Sequence, residues 1–564
     1  MTGIIPAPAE FALGETPAFV LSGESRLVVT GEGAAAVAET FAAQARVATG
    51  YALPVVEGAA AASDIELVVA EGEADGAPEG YTLESGERGV RIGADTAAGL
   101  FWGTQSLRQL LPAEIERADA ARVPSDGWGV PAASVTDAPR FAYRGAMLDV
   151  ARHFFPVEDV FSYLDVIALL KLNVLHLHLT DDQGWRIEIE SWPELTGIGA
   201  STSVGGDGGG FYTKDDYRRI VEYAAERFIT IVPEVDLPGH TNAALSAYAE
   251  LNCEGIARKP YEGVEVGFSS LCASPERAEA TDRFLADVTR ELAEMTPGPW
   301  LHLGGDESLS TSHDDYLDLV RRMTTAAAAT GKAVIGWHEL GASTELPPGT
   351  VGQYWSYVEP EPEASVLTRS FVEQGGTVIF SPADVAYLDM KYVDDPRGPL
   401  GGELGVDWAK GPTPLDEAYA WEPADIVPGL AEAHILGVEA PIWTETLSTM
   451  SEVEFMAFPR IAAIAEIAWS PAAGAGSRDH DAFLARVAVL GAHLDALGVH
   501  YHRVRGVPWH ECSDARTAAT EVTTGSHADR SAPTWHPAGP LGIRQTARGQ
   551  DDGDWFGPNI VAPA

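Results

Sequence analysis

The sequence predicts a (β/α)8 barrel preceded by a small α+β domain. Three observations carry this. Eight apolar runs beyond residue 139 each end in polar or aromatic residues and lead into a helical stretch. The chain before that point has a different texture, short β-rich runs with two apolar helices. Carboxylates and tryptophans gather where the eight runs end, the face on which barrels carry their sites.

Residues 1–138 hold the runs SRLVV, DIELVVA and GVRIGA and the helical stretches AAAVAETFAAQARVA and AAGLFWGTQSLRQLL. They contain no cluster of His, Cys or carboxylates that reads as a site. PAASVTDAP, rich in proline and small residues, reads as the linker. The barrel is expected over 139–509, with strands in AYRGAMLDV, NVLHLHLTDD, ITIVPEVDLPGH, WLHLGGDE, AVIGWHE, VGQYWS, TVIFSPAD and ILGVEAPIWTE. Residues 510–564 are polar and rich in Ala, Gly, Pro and Thr, an extended or partly disordered tail.

Composition bounds the partners. With 45% hydrophobic and 9% aromatic residues the 564-residue chain buries substantial cores. Its 83 acidic against 37 basic residues give a formal charge of −46, which repels phosphate backbones and excludes nucleic acid as a partner. No run is long enough to span a membrane, and the start lacks a signal peptide's basic end and apolar core. The chain as it stands reads as cytoplasmic, or as secreted if a leader has been removed. Cys253 and Cys272 bracket a loop-like segment, while Cys512 has no evident mate.

The chemistry centres on WLHLGGDES. A strand ends at Gly304 and Gly305 and presents Asp306 and Glu307 together; the stretch by itself fits either an acid/base pair or a solvated turn. Other strand ends supply Arg152, Asp181 and Asp182, His240, Trp337, Trp355, Asp384, Tyr387, Asp389, Trp443 and Glu445. Carboxylates grip hydroxyls and indole faces stack on pyranose rings, so the collection suits a sugar. His176 and His178 share one strand face, as in a metal-dependent barrel hydrolase. Trp or Tyr stands where further histidine ligands belong, which favours two imidazoles filling the barrel interior. GGDGGG near position 205 is a flexible loop, without the strand and helix that flank a phosphate-binding loop.

Together HLGGDE, MLDVARHFF, LHLHLTDDQGW, VPEVDLPGHT, YLDMKY and APIWTETL resemble the family 20 glycoside hydrolases, particularly bacterial exo-β-N-acetylhexosaminidases. The resemblance covers about residues 1–510. It implies a substrate-assisted, retaining hydrolysis of terminal β-linked GlcNAc or GalNAc through an oxazolinium intermediate, with no metal or cofactor. A lacto-N-biosidase releasing a disaccharide from the same scaffold is the alternative. By the same resemblance Glu307 is the general acid/base, with burial against aromatic walls raising its pKa. Asp306 accepts the acetamido N–H and Tyr387 holds the carbonyl oxygen. Trp337, Trp355 and Trp443 wall the sugar site, and Arg152, Asp389 and Glu445 bind ring hydroxyls. His240 with Asp181 supports Glu307. Cys253 and Cys272 fall where some relatives carry a disulfide.

Overall fold

The computed structural model describes residues 3–510 except 15–17, 125–126, 394–396 and 473–477, so the predicted tail and Cys512 lie outside the described residues. The N-terminal part is built on a seven-stranded mixed sheet. Its order is Glu10–Leu13, Ala133–Asp137, Tyr81–Gly86, Gly89–Ala94, Ile65–Val69, Leu27–Thr30, Val55–Glu57. Helices Ala34–Thr49 and Ala97–Leu110 pack on this sheet and on each other. The expected linker thus holds a strand. Ala133, Val135 and Asp137 alternate inward while Ser134 and Thr136 point outward, the two-residue period of a half-buried strand that flanking prolines hid.

The barrel closes on eight parallel strands, all eight of the expected runs. They are β1 (Tyr143–Asp149), β2 (Val174–His178), β3 (Thr230–Glu234), β4 (Trp300–His302), β5 (Ala333–Trp337), β6 (Val351–Tyr354), β7 (Thr377–Phe380) and β8 (Ile435–Ile442). β1 pairs with β8, Tyr143 opposite Gly437, so no edge is left open. The helices carry local start signals. Before Lys214–Ala225, Thr213 Oγ1 accepts the Asp216 N–H at 3.1 Å and the Asp216 carboxylate accepts the Thr213 N–H in return.

The two parts share a buried polar joint. Asp137, at the end of the linker strand, accepts from Tyr81 Oη at 2.8 Å, Trp469 Nε1 at 2.9 Å and Lys171 Nζ at 3.0 Å. Burial lowers the Lys171 pKa, and Asp137 opposes that shift. Inside the barrel, alternation sets layers: Val174, His176 and His178 point inward along β2, and Val232 and Glu234 along β3.

Candidate active site

β4 is only three residues long because the chain must leave the sheet early. Gly304 and Gly305 take φ of 66° and 111°, and the turn wraps over a carboxylate: a Cβ on Gly304 would sit 1.7 Å from Asp236 Oδ1. That oxygen accepts the Gly305 N–H at 3.2 Å. His302 Nδ1 accepts the Gly304 N–H at 3.1 Å, and Gly304 O accepts from Trp337 N at 2.9 Å, tying the turn to β4 and β5. Asp306 and Glu307 emerge from it side by side, Glu307 itself at φ 45°.

The solvated-turn reading fails because Asp306 is 9% exposed. The burial expected at Glu307 is found at Asp306 instead: the Glu307 side chain keeps 29% of its surface, at the open side of the turn. Burial, opposed by His240 and reinforced by Glu307, pushes the Asp306 carboxyl up to about 6.

His240 Nε2 stands 3.4 Å from Glu307 Oε2, and its Nδ1 3.0 Å from Asp181 Oδ1. Asp181 also meets Arg152 Nη2 at 2.8 Å and His178 Nε2 at 2.8 Å. Burial works against the Asp181 anion, yet Arg152 and His240 hold its pKa well below the usual range. Burial likewise disfavours the imidazolium of His240, and Asp181, Asp236 and Asp306 overcome it, raising its pKa well above the ordinary value. Asp182 takes a different part: its Oδ1 accepts the Asn242 N–H at 2.9 Å and Ser269 Oγ at 2.5 Å, anchoring the next helix.

The aromatic residues form a continuous wall. Trp337 lies 5.9 Å from Trp443, centroid to centroid, Trp443 6.1 Å from Tyr387, Tyr387 5.9 Å from Trp408, and Trp408 6.0 Å from Trp355. Trp337 Nε1 donates to Glu234 at 3.0 Å, and Trp355 Nε1 is fixed by both oxygens of buried Glu339, at 3.0 and 2.9 Å. Arg152 lies 4.9 Å over the Trp443 ring and 3.8 Å from Glu445. Asp389 Oδ1 accepts the Trp443 N–H at 3.3 Å and its Oδ2 has no partner among the described residues. The Asp384 carboxylate accepts the Val358 N–H, at 3.0 Å to Oδ1.

His176 and His178 do fill the barrel interior, but not as neutral packing. His176 Nδ1 meets Glu439 and Nε2 meets Glu234, each at 3.0 Å; His178 Nδ1 meets Glu234 at 2.5 Å. Burial opposes their charge, but Glu439 and Glu234 raise His176 to about 9, and Glu234 with Asp181 raises His178 to about 10. An imidazolium has no lone pair for a metal. His302 brings a third imidazole near His176 and Glu234, so the ligand types a metal reading asks for are present, with their carboxylates spent on these cations. Glu234, Glu439, Asp236, Glu339 and Trp408 escaped the sequence reading. The available signal was an acid inside an apolar strand, as in VPEVD and GVEAP.

The profile described as glycosyl hydrolase family 20, catalytic domain, matches residues 141–472, and that of the family's domain 2 matches residues 1–138. The chain is 41% identical to a beta-N-acetylhexosaminidase of Cellulomonas fimi over 90% of its own length and 97% of the relative's. It superposes on the GH20 beta-N-acetylhexosaminidase of Streptomyces coelicolor A3(2) with TM-score 0.84 at 44% identity, covering 90% of this chain and 99% of that one. A mutant Streptomyces plicatus beta-hexosaminidase in complex with product GlcNAc matches with TM-score 0.83 at 43% identity, over 90% of this chain and 98% of that one.

Proposed function

The chain belongs to glycosyl hydrolase family 20, and from that premise we propose that it is a retaining exo-β-N-acetylhexosaminidase acting on terminal β-linked GlcNAc or GalNAc. Its nucleophile is the substrate's own 2-acetamido oxygen. The observation that carries this reading is the division between the two acids: Asp306 is buried beside Tyr387, while Glu307 stands at the open side on the Asp181–His240 pair. A buried anion suits an amide N–H and the positive charge that develops on the amide as its oxygen attacks the anomeric carbon. The Tyr387 hydroxyl donates to that oxygen and keeps it in line.

Glu307 gives its proton to the departing glycosidic oxygen. It then takes one from the water that opens the oxazolinium ring, so configuration at the anomeric carbon is retained. Arg152, Asp389 and Glu445 bind the ring hydroxyls, and the wall of Trp337, Trp355 and Trp443 receives the sugar and its acetamido methyl group. The Cys253–Cys272 disulfide belongs to an oxidising compartment, which supports export over a cytoplasmic location. The reading is tested by comparing a chromogenic 2-acetamido-2-deoxy-β-glucoside with the matching 2-hydroxyl glucoside. Turnover of the first alone is expected; equal turnover of both would remove substrate assistance.

A further inference from the structure

Beneath the catalytic turn lies a carboxyl that the proposed mechanism has not used. Asp236 is 1% exposed, on the segment after β3. Its backbone N–H donates to Thr180 Oγ1 at 3.1 Å, its Oδ1 accepts the Gly305 N–H, and it fills the space a side chain on Gly304 would need. A carboxylate oxygen of Asp236, one of Asp306 and a ring nitrogen of His240 lie within 4.8 Å of one another. Among the described residues nothing donates to Asp236 Oδ2 or to Asp306 Oδ1, and both atoms are buried. His240 Nε2 is 3.7 Å from Asp306 Oδ2, too far for a hydrogen bond.

Two buried carboxylates this close do not both ionise; one proton between them satisfies both orphaned oxygens. We propose that Asp236 is a positioning residue that keeps this proton and donates it in a hydrogen bond to the Asp306 carboxylate, holding Asp306 ionised and aimed at the substrate's amide N–H. The surroundings decide which partner holds it. Burial and the neighbouring charges of Asp306, Glu234 and Asp181 raise the Asp236 carboxyl well above the ordinary range, against the pull of His240. The other titratable groups facing the pair are His178, Glu307, Glu339 and Tyr316. A ring nitrogen of His178 lies within 4.8 Å of carboxylate oxygens of Asp236 and Asp181, and His178 is already paired with Glu234. The charges of Glu307 and Glu339 act on Asp306, and the Tyr316 hydroxyl donates to Gly305 O at 2.7 Å. A metal ion is a poor substitute for the proton, since the His240 imidazolium already occupies the cluster's positive position.

The inference rests on the role given to Asp306 above, and its test is separable from the 2-hydroxyl comparison. Asp236→Asn keeps a donor without a charge; Asp236→Leu keeps the volume without a donor. For Asp236→Asn, kcat is expected within about threefold of wild type, with an acid limb of the pH profile no higher than the wild-type limb. For Asp236→Leu, kcat should fall roughly ten- to a hundredfold at near-constant KM, with the acid limb moved up by about one pH unit. Infrared difference spectra supply a readout that does not depend on the leucine variant folding: wild type should show a protonated-carboxyl C=O band at pH 7 that Asp236→Asn lacks. An unchanged pH profile in Asp236→Leu, an asparagine variant as impaired as the leucine one, no difference band, or activity lost to chelation and restored by a divalent ion would each overturn it.

Discussion

Replacing Asp306 with asparagine removes the buried anion while keeping size and hydrogen-bonding capacity. At roughly 4 Å and an effective dielectric constant near 20, a unit positive charge developing on the acetamido group interacts with a carboxylate by about 4 kcal/mol. Loss of one preorganised group facing a transition-state charge costs about 2.7–4 kcal/mol in comparable sites. Asp306→Asn should therefore lower kcat for a chromogenic 2-acetamido-2-deoxy-β-glucoside by about 10²- to 10³-fold. With its carboxyl pushed up to about 6, Asp306 is roughly nine-tenths ionised at pH 7 and mostly protonated at pH 5. Wild-type activity should fall through that interval on acidification, a macroscopic limb shared with the coupled neighbours. The variant, with nothing to protonate at that position, should lose this limb. Linkage fixes the sign for stability. A carboxyl whose folded value is raised favours the fold below its ordinary range and weakens it as pH rises through about 4 to 6, so Asp306→Asn should melt higher than wild type at pH 7. The assay is steady-state kinetics from pH 4 to 8 with thermal melting on the same samples. A variant within threefold of wild type at pH 7, or one that keeps an unchanged acid limb, would refute the assignment.

Other outcomes follow from the same geometry. Glu307→Gln should abolish turnover of natural glycosides, whose leaving groups need a proton, while still binding GlcNAc-thiazoline, a mimic of the intermediate; calorimetry on the variant checks this. Because His176 and His178 are imidazoliums held by Glu234, Glu439 and Asp181, incubation with EDTA should leave kcat unchanged, with metal analysis as the control. Reducing Cys253–Cys272, which closes a loop of 19 residues in sequence separation, should remove about 3 kcal/mol. Melting with and without reductant should differ by roughly 2–5 °C.

The barrel was legible because every strand announces itself twice, by an apolar run and by the polar or aromatic residues that end it. The Ala133–Asp137 strand was not, since five alternating residues between prolines look the same whether they pair or merely connect. At the site, Asp306, Glu307, Tyr387 and the tryptophans stand on strand ends, where residue type alone suggests chemistry. Glu234, Glu439 and Asp236 lie on or just beyond inward-facing strand positions, and only folding shows that their partners are three histidines and a second carboxyl. Which of two adjacent acids is buried was equally hidden, because Gly304 and Gly305 rotate the chain by an amount that the sequence does not state.

The central claim is that the substrate, not the protein, supplies the nucleophile. It is tested most directly by a series of substrates whose N-acetyl group carries none, one, two or three fluorines. Each fluorine withdraws electron density from the attacking oxygen, so kcat/KM should fall steeply along the series. A flat series would contradict substrate assistance and return the search to a carboxylate of the enzyme.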